Sequence, residues 1–109
     1  APYELPGKSG QRQPFDMVAT LKGRWGGSKT IAIDVVSSES GVSAEAVRNF
    51  VNKVRDAKPS ESYLIAIPKL ADEAKALAKS LRLTFVEGPS LKEATSSLLG
   101  AGPFKDIAR

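Results

Sequence analysis

Residues Thr30 to Val36, Thr-Ile-Ala-Ile-Asp-Val-Val, are aliphatic and largely β-branched, with one carboxylate inside the run. A stretch of this kind is a buried strand, and the rest of the chain has to cover it. Asp34 is the exception within it. Burying a lone carboxylate costs roughly several kcal/mol unless a cation or hydrogen-bond donors compensate it. Asp34 must therefore be paired, lie at the wet end of the strand, or hold something. The side-chain period of two puts Ala32, Asp34 and Val36 on one face and Ile31, Ile33 and Val35 on the other.

The flanking residues say how this strand is partnered. Phe15 to Leu21 alternates as a second strand, with Phe15, Met17, Ala19 and Leu21 on one face and Asp16, Val18 and Thr20 on the other. The glycines of the turn Lys22 to Lys29 permit a chain reversal, so the two strands are expected to pair antiparallel. After the polar break at Ser37 to Gly41, Ser43 is a good N-cap for a helix running to about Ala57, which Pro59 cannot continue. Val47, Phe50, Val51 and Val54 form its apolar stripe, and Arg48, Asn52, Lys53 and Arg55 its solvated face. Tyr63 to Ile67 is a continuous apolar run closed by Pro68, as in a central strand covered on both faces.

A second helix is expected over Leu70 to Leu81, with Leu70, Ala74, Leu77, Ala78 and Leu81 inward, then a short strand Leu83 to Val86. Ser90 to Glu93 has capping-box spacing and starts a third helix, which Gly100 stops after Leu99. The opening residues read as a short strand, Tyr3 to Leu5, followed by an exposed loop. The tail Ala101 to Arg109 reads as irregular, with Phe104 and Ile107 able to dock. Strands joined through helices should be parallel with right-handed crossovers. The expected fold class is α/β: a mixed β-sheet, an antiparallel meander followed by parallel strands, flanked by helices.

At 109 residues the chain suits a single domain. It contains no apolar run near the length of about twenty residues that crosses a bilayer, and its first residues lack a secretory pattern, so a soluble, cytoplasmic protein is expected. Cysteine and histidine are both absent. That removes the usual zinc ligands, thiol chemistry, Ser-His-Asp triads and any histidine general base, leaving oxygen-ligand metal chemistry or binding. The net charge of +4 suits a polyanionic partner. Lys22, Arg24, Trp25 and Lys29 are the candidate nucleic-acid-binding residues, a basic tongue with one aromatic able to lie along a phosphate backbone. Gly23, Gly26 and Gly27 match neither a dinucleotide fingerprint nor a phosphate loop, because their turn joins two strands.

Taken together, Phe15-Asp16-Met17-Val18-Ala19, the glycine turn, Thr30 to Val36, the amphipathic helix, Tyr63 to Pro68 and Ala74 to Lys79 before Leu83 to Gly88 resemble the restriction-endonuclease-like, or PD-(D/E)xK, nuclease superfamily. Its Mrr-like and archaeal Holliday-junction-resolvase-like branches are the most similar. The resemblance implies DNA as partner, a magnesium ion held by two carboxylates, and a lysine that orients the attacking water and stabilises charge on the phosphate. Asp16 matches the first aspartate, although Phe15 replaces the motif's proline. Asp34 matches the second acid, and Val36 stands where the motif has its lysine. Lys53, Lys22 and Lys29 are candidate substitutes for that lysine, and Glu45 and Glu4 are candidate extra carboxylates. Family members usually open with an acid-bearing helix; none precedes the first strand, so the whole of 1–109, with its core over about 15–100, is expected to be one nuclease-like domain excised from a longer chain.

Three readings follow. The first is a nuclease-like domain that has lost cleavage and retains a DNA-binding or regulatory role. The second is a magnesium-dependent endonuclease with a migrated lysine. The third is a protein-interaction or assembly domain, self-associating or docking on other parts of its parent chain, with Trp25 at an interface.

Overall fold

The computed structural model describes residues 3–23 and 26–99, the side chains of 98 and 99 excepted. A four-stranded sheet in the order β3-β4-β5-β6 forms its centre, built from β3 (Met17–Lys22), β4 (Ser28–Ser37), β5 (Glu61–Ile67) and β6 (Phe85–Glu87). β3 runs antiparallel to β4, while β4, β5 and β6 are mutually parallel, as the helical connections require. The helices α1 (Ala44–Ala57) and α2 (Asp72–Ser80) lie on one face, where Val47, Phe50, Val51, Ala74 and Ala78 pack against Ala32, Leu64 and Ala66. On the other face α3 (Leu91–Leu99) sets Ala94 against a layer of Ile31, Ile33, Tyr63 and Ile65. The mixed α/β architecture expected from the sequence is the one observed. No helix among the described residues is long and apolar enough to cross a membrane.

Local chemistry explains where α1 begins and ends. Ser43 is extended and its hydroxyl accepts the Ala46 N–H at 3.2 Å, satisfying one of the unpaired amides of the first turn. At the far end Lys58 takes a left-handed conformation with φ of 49°, which lets its N–H reach the Val54 carbonyl before Pro59 forbids another turn. α2 starts two residues later than expected because Leu70 is committed elsewhere: its N–H donates to the Glu87 carboxylate at 2.8 Å. Leu81 also departs from expectation. It lies beyond the helix and is exposed instead of inward.

The largest departure is at the start of the chain. The single strand expected over Phe15 to Leu21 is two strands, β2 (Arg12–Phe15) and β3, bent apart at Asp16. β2 occupies residues expected to be loop and pairs antiparallel with β1 (Tyr3–Pro6) in a separate two-stranded sheet. Pro14 is tolerated because this ribbon has no further strand to bond. The ribbon is moored to α1 through Asp56, whose carboxylate accepts the Ser9 N–H at 2.9 Å, the Ser9 hydroxyl at 2.7 Å and the Gln13 amide at 2.7 Å. Gly7 is needed for that contact, since a Cβ there would stand 1.9 Å from an Asp56 oxygen. Arg24 and Trp25, together with the tail residues Phe104 and Ile107, lie outside the described residues.

Candidate active site

The bend between β2 and β3 creates the site. Pairing of β3 with β4 begins at Met17 opposite Ile33; continued, it would have set Asp16 opposite Asp34 and Phe15 opposite Val35. The ladder is completed there by carboxylates instead. The Asp16 N–H donates to Asp34 Oδ1 at 2.9 Å, and the Val35 N–H donates to Asp16 Oδ2 at 2.7 Å. Asp34 is thus fixed by the amide of Asp16, and Asp16 by an amide of β4, which sets the two acids side by side. Asp34 is buried at 8 % exposure, the one buried charged residue among those described, while Asp16 is open to solvent.

Lys53 supplies the positive charge that a buried Asp34 demands. Its ammonium contacts Asp34 Oδ2, donates to the Pro14 carbonyl at 2.6 Å and lies 4.7 Å from the centre of the Phe15 ring. Its position follows from helix geometry. Phe50 and Lys53 are three residues apart on α1 and so address the same neighbour. Phe50 meets the Phe15 ring edge to face at 6.3 Å, and Lys53 caps that ring's face. Lys53 therefore does not belong to the solvated helix face assigned to it from the pattern; its side chain is only 24 % exposed, because the β1–β2 ribbon folds over that side of α1. A cavity of about 270 Å³ has Asp16, Asp34, Val36 and Lys53 in its wall.

Two carboxylates, with no third acid close enough to complete a metal cluster among the described residues, suit a hard cation that keeps most of its water. Asp16 Oδ1 has no hydrogen bond to another described residue, and Asp34 Oδ2 already stabilises a positive charge. An oxygen-only donor set of this kind is one that magnesium takes. Val36 is half buried in the same wall, and the Lys53 ammonium reaches that cavity from α1.

The other candidates separate from this centre. Lys22 pairs opposite Ser28 and Lys29 opposite Leu21, at the far end of β4, five residues or about 17 Å from Asp34. Neither reaches the cavity, and Lys29 instead bonds Glu61 at 3.3 Å. Glu4 pairs with Arg12 at 3.5 Å on the exposed ribbon, and Glu45 is exposed in the first turn of α1. The Pro14 carbonyl, which holds Lys53, was not foreseen. The i, i+3 spacing of Phe50 and Lys53 was the available signal.

The family model Mrr_cat, described as restriction endonuclease, matches residues 6–95. No curated protein and no solved structure matches the chain. The matched span takes in β2 through β6, with the aspartate pair and Lys53 all inside it. On that match, which covers most of its length, this chain belongs to the restriction endonuclease family.

Proposed function

We propose that this domain hydrolyses phosphodiester bonds of DNA with a magnesium ion held by Asp16 and Asp34, and that Lys53 takes over the role vacated at Val36. The observation that carries the reading is the Lys53 ammonium lodged against Asp34 in the cavity that Asp16 also lines. When bound, the ion supplies Lewis-acid polarisation of a phosphate oxygen and neutralises charge there. The chain's own residues do the rest. The two amides that grip Asp16 and Asp34 hold the carboxylates at fixed separation, so little reorganisation is needed on loading. Lys53 keeps its bond to the Pro14 carbonyl as it exchanges Asp34 for a phosphate oxygen, where its remaining N–H bonds stabilise developing negative charge.

Plasmid DNA incubated with Mg²⁺ or Mn²⁺ tests this directly. Cleavage by the unaltered protein, lost in Asp34→Ala and lowered about 10²-fold or more in Lys53→Met, is the expected result. A second reading, a domain that binds DNA without cutting it, is favoured by the aliphatic Val36. Intact plasmid together with retained DNA binding would replace the first reading by the second.

A further inference from the structure

Helix α1 has a second charged flank. Lys53 points toward β2, and Arg55, two residues on and about 200° around the helix, lies on the α2 side. There a cavity of about 380 Å³ opens between the end of α1, the start of β5 and the residues that follow α2, with Arg55, Arg82, Ser62, Tyr63 and Thr84 in its wall. Neither the Arg55 nor the Arg82 side chain makes an ion pair or hydrogen bond with another described residue. The one carboxylate in the wall does not neutralise them. Glu61 gives one oxygen to Lys29 at 3.3 Å and the other to the Tyr63 hydroxyl at 2.8 Å. Tyr63 adds no negative charge, since burial first, and Glu61 second, push its pKa up to about 12.

Two further observations narrow the ligand. Arg82 sits at φ of 55°, in the left-handed region where glycine is at ease and a branched stem is not, so what this position gains from arginine is the side chain. A neighbouring groove of about 240 Å³ shares Arg55 and adds Arg48 and Asn52, which continue the same stripe of α1 by the i, i+4, i+7 rule. From Arg48 to Arg55 the stripe runs about 10 Å along the helix axis. That is longer than a single phosphate and suits a polyanion.

We propose that Arg48, Arg55 and Arg82 form an anion-binding groove that holds phosphates of a nucleic-acid backbone on the α2 side of α1. The groove does not depend on the cleavage reading. It lies across one helix, whose diameter is about 10 Å, from the aspartate pair, so one bound nucleic acid can span both flanks.

The test is fluorescence anisotropy of labelled duplex DNA with the metal-free protein across a salt series, with inorganic phosphate as competitor. The variants are Arg55→Ala/Arg82→Gly and Arg48→Ala. The slope of log affinity against log salt should fall by about two in the double variant and by about one in Arg48→Ala. Arg82→Gly relieves the backbone, so that variant should melt at or above the temperature of the unaltered protein, and its weaker binding cannot be charged to unfolding. An unchanged slope in the folded double variant would mean that the arginines serve only the helix C-termini, and the proposal falls. Arginine-dependent binding of inorganic phosphate without binding of DNA would overturn the polymer as the source of the phosphate.

Discussion

Replacing Lys53 with methionine isolates the charge that Asp34 relies on. Methionine keeps most of the stem that packs on Phe15 and removes the ammonium. Breaking a buried ion pair from one side costs about 3–5 kcal/mol, because the other charge is left without its partner. Here the pair is incompletely buried, with the Lys53 side chain 24 % and the Asp34 side chain 12 % exposed, and Asp34 retains the Asp16 N–H. A loss of about 2 kcal/mol is therefore expected, equivalent to about 10 °C in the melting temperature of a domain this size. Thermal unfolding followed by circular dichroism at neutral pH measures it. Adding Asp34→Asn to Lys53→Met should recover most of the loss, since the orphaned charge is then gone. Millimolar Mg²⁺ should raise the melting temperature of Lys53→Met more than that of the unaltered protein, in which the cation has to displace an ammonium. A single variant that melts with the unaltered protein, or a double variant no more stable than the single, would refute the argument.

Other outcomes follow from other contacts. Hydrogen bonds from the Ser9 hydroxyl first and the Gln13 amide second hold the Asp56 carboxyl below its ordinary value of 3.8. Its stabilising effect is therefore present above that pH and lost as pH falls through the lowered value, so Asp56→Asn should flatten the acid limb of the stability curve measured in urea. Tyr63 has the opposite sign. Its neutral form is favoured in the fold, so stability should decline as pH climbs from its ordinary value of 10.0 through about 12, and Tyr63→Phe should remove that part of the decline. Gly7→Ala should cost about 1–3 kcal/mol in the same assay, because the new methyl group collides with the Asp56 carboxylate.

The parts of this structure that were legible in the sequence are those set by local periodicity. Ser43 and Pro59 mark the limits of α1, and Val47, Phe50 and Val51 mark its buried stripe. The period of two set Asp16 beside Val18 and Asp34 beside Ala32, each on its own strand, and Val18 and Ala32 pair and both pack under α1. What escaped depends on contacts between distant residues. Phe15 and Met17 belong to one face of a continuous strand, yet Phe15 is 1 % exposed beneath α1 and Met17 is 52 % exposed. The alternation breaks at Asp16 because Asp34 and Val35, eighteen and nineteen residues away, take up its backbone and carboxylate. The β1–β2 ribbon depends on Asp56, 47 residues from Ser9, and only once the ribbon is in place does Lys53 leave the solvent.

The change of direction at Asp16 makes that residue the seam between two sheets. One side of the seam is locked into the main sheet, and the other rides on a ribbon moored to α1 by the Asp56 carboxylate and by the bond from Lys53 to the Pro14 carbonyl. A force on the ribbon's tip is therefore delivered to Asp16, one acid of the aspartate pair, as a lever delivers load to its pivot. Loosening the mooring at Asp56 would unsettle that acid without touching the pair itself.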